Sequence, residues 1–193
     1  MRTSAALLGA SLLLASACTD EVALQVDGGF DAAEVGQGSI ARGPLVINEV
    51  MPKPAEGADW IELYNRSDAA IDLCDYFVTD SLDRLDHYFH LGGSPPPQEC
   101  PVQLLDVGEY LIVIADDDAP AGHAPFKLGI ADQAHVVSLS GEAIDSLIYL
   151  YPANGAGMSL ARQPNGEGSF WLVEASEGQT NPDVPTPDVG GAQ

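Results

Sequence analysis

Short runs of β-forming residues, each cut off by Gly, Pro, Asn, Asp or Ser, recur through the middle of this chain and leave little room for any other architecture. Leu45–Val50 and Asp59–Asn65 come first. In the second, Ile61 and Leu63 alternate with Trp60, Glu62 and Tyr64, the period of two that a strand with two unlike faces requires. Ile71–Leu73 and Tyr76–Thr79 follow the turn at Arg66-Ser67-Asp68. Glu109–Ala115 (EYLIVIA), introduced by Gly108, is apolar on both faces and is expected to lie centrally in a sheet. His135–Leu139, Ile144–Leu150, Met158–Arg162 and Ser169–Val173 complete the set, and no segment sustains an amphipathic helical period. The expectation is an all-β sandwich or barrel.

The two ends read differently. Arg2 precedes an apolar run, Ala5–Ala15, that stops at Ala15-Ser16-Ala17 before Cys18. A run of roughly a dozen residues falls short of the about 20 that span a bilayer, so it reads as an export signal. The tetrapeptide ending at Cys18 resembles a bacterial lipobox, with Leu14 one place earlier than the usual leucine. That resemblance implies cleavage before Cys18 and acylation of its sulfur. The alternative is an ordinary A-x-A-type signal cut at the same bond. Thr19, with Asp20 one place too late for an inner-membrane retention signal, implies sorting to the outer membrane. Residues Thr19–Gly43, poor in aromatics and rich in Gly, Ala, Asp and Glu, read as a flexible tether. Residues 177–193, with Pro182, Pro185 and Pro187, read as a disordered tail. One domain remains over residues 44–176.

Charge excludes one class of partner. The chain has 29 acidic and 7 basic residues, a formal charge of −22, and no Lys/Arg cluster with which to neutralise phosphates. Nucleic acid is therefore not expected as a partner. Solubility is the simplest use of such charge, with cations or basic partners as the specific uses. With Cys18 assigned to lipid, Cys74 and Cys100 form an even pair in an oxidising setting, and a disulfide between them is expected.

Several segments, in order, resemble the lamin-tail domain in its exported bacterial form. They are Leu45–Ser67 (LVINEVMPKPAEGADWIELYNRS), Asp72-Leu73-Cys74-Asp75-Tyr76, Gly108–Ala115, Phe126-Lys127-Leu128 with Val137-Ser138-Leu139 and Ile144-Asp145, and Met158–Gly166 with Phe170-Trp171. Val107 stands where the family more often has proline, and Ala161 departs from its Ser-Leu-Glu-Arg pattern. The resemblance covers about Pro44 to Ala175. It implies an immunoglobulin-like β-sandwich that binds or positions rather than catalyses.

Catalytic patterns are weak beside it. Gly157-Met158-Ser159-Leu160-Ala161 falls short of a G-x-S-x-G nucleophile elbow, and no histidine follows His135. His87, His90, His123 and His135 lack metal-ligand spacing and read as surface histidines. Asp116-Asp117-Asp118, directly after a strand, reads as an exposed candidate interaction loop, and Asp80, Asp83 and Asp86 crowd another. The calcium-loop pattern is absent, so no metal or cofactor is expected. Glu49 and Glu62 sit inside strands among apolar residues. If those strands pair, the two carboxylates share a face and bond to backbone or hydroxyls, whereas a carboxylate hydrolase would need them reachable. Asn65-Arg66-Ser67 reads as turn chemistry rather than as a glycosylation site, and Trp60 and Trp171 as packing. The expected protein is a lipid-anchored, non-catalytic envelope module with a protein or envelope-polymer partner. Calcium-dependent surface adhesion is the alternative, and a small carboxylate hydrolase is the remote one.

Overall fold

The computed structural model describes residues 40–41, 43–93, 99–118, 120–153 and 155–184. The run read as an export signal, Cys18 and most of the stretch before Gly43 lie outside the described residues, as does the chain from 185 onward.

Two five-stranded antiparallel sheets and a small ribbon make up the domain. The first sheet runs β1 (Ile40–Ala41), β10 (Ala143–Leu150), β9 (Ala131–Ser138), β5 (Tyr76–Thr79), β6 (Phe89–His90). The second runs β12 (Ser169–Glu174), β11 (Met158–Gln163), β2 (Leu45–Met51), β3 (Asp59–Asn65), β8 (Tyr110–Ala115). The ribbon pairs β4 (Ile71–Asp72) with β7 (Leu104–Leu105). Inward side chains of both sheets form one core, with Leu45, Ile47, Ile61, Leu63, Leu160 and Phe170 from one and Val78, Ala134, Val136 and Leu147 from the other. The fold is an immunoglobulin-like β-sandwich. Each of these Leu, Ile, Val and Phe side chains contributes about 1.5–3 kcal/mol by leaving water.

A bulge in β2 decides which residues face that core. Ile47 lies opposite Leu63, but Glu49 lies opposite Glu62, so Asn48 is the extra residue. In an unbroken strand Ile47 and Glu49 would share a face. The bulge sends Ile47 inward and Glu49 outward, and brings Val50 inward opposite Ile61.

The bond between Cys74 and Cys100 is present, with Cα atoms 5.9 Å apart. It ties the one-turn helix Leu73–Asp75 to the chain approaching β7. Gly92 passes against the bridge so closely that a Cβ there would collide with both sulfurs, which explains a glycine at that point.

Several expectations need correction. Glu109–Ala115 yields β8, which is an edge strand rather than a central one. Its apolar residues meet the core on one face and half-buried surroundings on the other. Among the described residues its free side is covered at the end, where Ala124 bridges to Ala115 and donates its N–H to the Ile114 carbonyl at 2.8 Å. Phe126 and Leu128 are buried without belonging to any strand. The stretch assigned to the tether supplies β1, which pairs with Asp145 and Ser146. At the other end, Glu177–Val184, assigned to the tail, lies among the described residues, and from Gly178 to Pro182 it bonds to the domain. Finally, His90 and His135 are buried rather than on the surface. Their ring nitrogens bond to the Cys74 carbonyl at 2.9 Å and to Ser146 and Gln133 at 2.8 and 3.0 Å.

Candidate functional site

Polar side chains concentrate on the outer face of the second sheet, away from the core. Trp171, Ala161, Glu49, Glu62 and Ile112 are successive cross-strand partners from β12 to β8 and therefore share that face. Such a face normally meets water, yet Glu49 and Glu62 are both 0% exposed. The cover is the chain after β12. Ser176 donates its N–H and its hydroxyl to the two Glu49 oxygens at 3.0 and 2.8 Å, and the Gly178 N–H donates to Glu62 Oε2 at 2.6 Å. Asn181, itself buried, donates its side-chain amide to the Arg162 and Asn48 carbonyls at 2.8 and 3.3 Å, and its backbone N–H to Asn165 Oδ1 at 2.9 Å. Gln163 donates to the Pro182 carbonyl. Residues 175–182 thus form a strap across the sheet.

The bulged Asn48 completes the cluster. It donates Nδ2–H to Glu62 Oε1 at 2.8 Å while its Oδ1 accepts from the Gly166 N–H at 2.8 Å. Burial pushes Glu62 up to about 7, against the pull of the Asn48 and Gly178 hydrogen bonds and with help from the negative Glu49 and Glu177. Glu49 is also raised by burial, with Ser159 and Ser176 bonding it and Glu177 opposing its charge. Every donor in this set belongs to the chain, and no carboxylate oxygen is open to solvent. A carboxylate hydrolase needs an acid or base that substrate can reach, and with the chain after β12 in place this pair is covered.

A second polar pair crosses the core. Arg162 on β11 and Asp145 on β10 both point inward, and Arg162 Nη2 lies 2.9 and 3.2 Å from the Asp145 oxygens. The β2–β11 ladder extends only over Glu49 and Val50, so the Ile47 backbone needs other partners. Its N–H donates to Asp145 Oδ2 at 2.7 Å, and its carbonyl accepts from Arg162 Nε at 2.9 Å. Phe170 stacks beneath the guanidinium, 4.4 Å from ring centroid to the central carbon. The pair satisfies backbone that a bulged strand leaves open, and it joins the two sheets.

The sequence model of a family described as Lamin Tail Domain matches residues 38–162, well over half the chain. The chain belongs to the lamin tail domain family. No curated protein matches it. The family is an immunoglobulin-like, non-enzymatic one, in keeping with the sandwich described above. The match ends at Arg162, so β12 and the strap lie beyond the matched residues while closing the lamin tail domain on its outer face.

The remaining residues singled out in the sequence are spread over the lamin tail domain. The carboxylates of Asp116, Asp117 and Asp118 converge within 4.8 Å after β8. One neighbour answers that charge, and a second lies near it. Lys127 Nζ lies 2.6 Å from Asp117, and the His123 ring lies 3.9 Å from Asp116. With an ammonium in place, millimolar calcium is expected to leave the melting temperature unchanged from that in chelator. A rise with calcium would instead assign this loop as a cation site. His87 pairs with Asp80 at 2.5 Å, on a different loop from Asp116–Asp118. The four histidines are not brought together. Asn65 is fully buried, with its amide donating to the Ala69, Leu105 and Asp106 carbonyls and its oxygen accepting from Ser67, so it serves as a turn residue.

What sequence reasoning missed is the strap and the Arg162–Asp145 pair. The spacing of core residues in β2 held a clue: Leu45, Ile47 and Val50 break the period of two at the point where a glutamate stands. No local pattern marks Asp145 and Arg162 as partners.

Proposed function

We infer that this protein is a lipid-anchored envelope lipoprotein whose lamin tail domain acts as a non-catalytic binding or structural module. The acyl chains on Cys18 hold it at the outer membrane, and the acidic stretch before the domain sets its reach. More than one chain is needed for stable anchoring, which triacylation of an N-terminal cysteine supplies. The observation that carries the non-catalytic part is the fate of the buried carboxylates. Glu49 and Glu62, the pair with the most catalytic chemistry to offer, are fully covered and bonded to the chain's own Asn48, Ser176 and Gly178. Recognition then falls to exposed loops, Asp116–Asp118 among them, and to strand edges such as β8, which can accept an added strand.

The test is crosslinking of the tagged protein in cells, followed by capture and mass spectrometry, with Cys18→Ala as the unanchored control. The expected result is a membrane-bound wild type that captures a discrete protein or envelope polymer, and a soluble control that loses it. A wild type that fractionates with the soluble proteins removes the anchor. Turnover of an ester or phosphoester by the purified chain, abolished in Glu62→Gln without loss of folding, would remove the non-catalytic reading.

A further inference from the structure

We propose that the strap over residues 175–182 is a proton-linked latch, which Glu62, seconded by Glu49, holds shut in acid and loosens as the solution becomes neutral. The argument starts from placement. Both carboxylates stand on the solvent side of the second sheet, and each is covered by the strap segment that bonds to it: Ser176 on Glu49, Gly178 on Glu62. Lifting the strap therefore returns both groups to water at once, while leaving the core on the other face intact.

The surroundings fix the direction. Facing the pair from β2 is Asn48, an amide; from β11, the Ser159 hydroxyl; and from the strap, the Ser176 hydroxyl and the negative Glu177. From β8, Ile112 lies opposite Glu62, and Tyr110 reaches the strap at Thr180, 3.5 Å away. The guanidinium of Arg162 points into the core toward Asp145. Two like charges beside a third, held by neutral donors under a cover, favour taking up a proton on closing. Glu62 in the closed form titrates at about 7 against an ordinary 4.5. Closing thus binds a proton, and the stabilisation is complete below pH 4.5 and lost as the pH rises through 7. Gly178 fits the latch point because its φ of 71° is one that only glycine adopts freely, and it aims the N–H at Glu62.

Hydrogen exchange of the full chain, followed by mass spectrometry of the peptide spanning 174–184, tests this. Rates between pH 5 and 8 are divided by the intrinsic chemical rate to give the strap's opening constant. That constant is expected to rise by up to about tenfold per pH unit until near neutrality and then level, because one displaced proton gives tenfold per unit. The β9–β10 hairpin, which lies in the other sheet and makes no bond to either glutamate, is expected to show no such rise and reports whether each variant is folded. Glu62→Gln is expected to flatten the slope, with the remainder lost in the double variant Glu49→Gln/Glu62→Gln. A wild-type opening constant that stays level from pH 5 to 7 overturns the latch. So does a slope that is undiminished in folded Glu62→Gln, or one that survives in the folded double variant.

Discussion

Replacing Arg162 by alanine is expected to lower the unfolding free energy by about 3–5 kcal/mol, because breaking one side of a buried ion pair leaves the other charge uncompensated. The loss extends past Asp145. Arg162 also donates to the carbonyls of Ile47 and Gly168 and stacks on Phe170, so the substitution strands the buried Ile47 carbonyl as well. Urea unfolding at neutral pH reads the effect. The double variant Asp145→Ala/Arg162→Ala is expected to lose less than the sum of the two singles, since each single removes the same interaction. A single-variant loss below about 1 kcal/mol, the range of a surface pair, would show that the pair does not join the sheets.

Removing the disulfide is the second large effect. Cys74 and Cys100 are 26 residues apart, and closing a loop of that length is worth about 3–4 kcal/mol in the chain-entropy model. The variant Cys74→Ala/Cys100→Ala is expected to unfold at correspondingly lower denaturant and to be indifferent to reductant. The wild type is expected to fall to the variant's level once reduced. The effect should be felt first around β6, β7 and the one-turn helix, since the bridge spans that part of the chain. Equal stability of wild type and double variant under oxidising conditions would mean that the surrounding contacts already hold this loop. Leu91 donating to the Tyr76 carbonyl at 3.0 Å and Leu73 to the Gln103 carbonyl at 2.8 Å are the contacts that would then suffice.

Both predictions concern groups that were read from the sequence to different depths. The cysteines were legible because two thiols left after Cys18 have one pairing available. Asp145 and Arg162 were not paired, because a bond between sheets depends on which residues two distant strands turn inward. Ile144-Asp145 and Met158–Arg162 each looked like a strand, and neither announced that it carried a charge into the core. Glu49 and Glu62 were legible in part. Their positions within strands implied a shared face if β2 and β3 paired, and the register confirms that pairing. What covers them came from Ser176 and Gly178, in a stretch whose Pro, Asn and Gly content resembles that of a free tail.

The sequence by itself determined the all-β class, the strands of the second sheet to within a residue or two, and the pairing of the cysteines. These follow from local alternation, turn residues and arithmetic, which act over a few positions. Tertiary structure alone decided that β8 lies at an edge, because an apolar strand needs covered faces and those do not depend on how many neighbours its backbone has. It also decided that Glu49 faces outward, since one extra residue at Asn48 reverses the alternation for everything after it. Last, it decided that the chain after β12 closes over the sheet, because hydrogen bonds between residues more than a hundred positions apart leave no mark on either stretch.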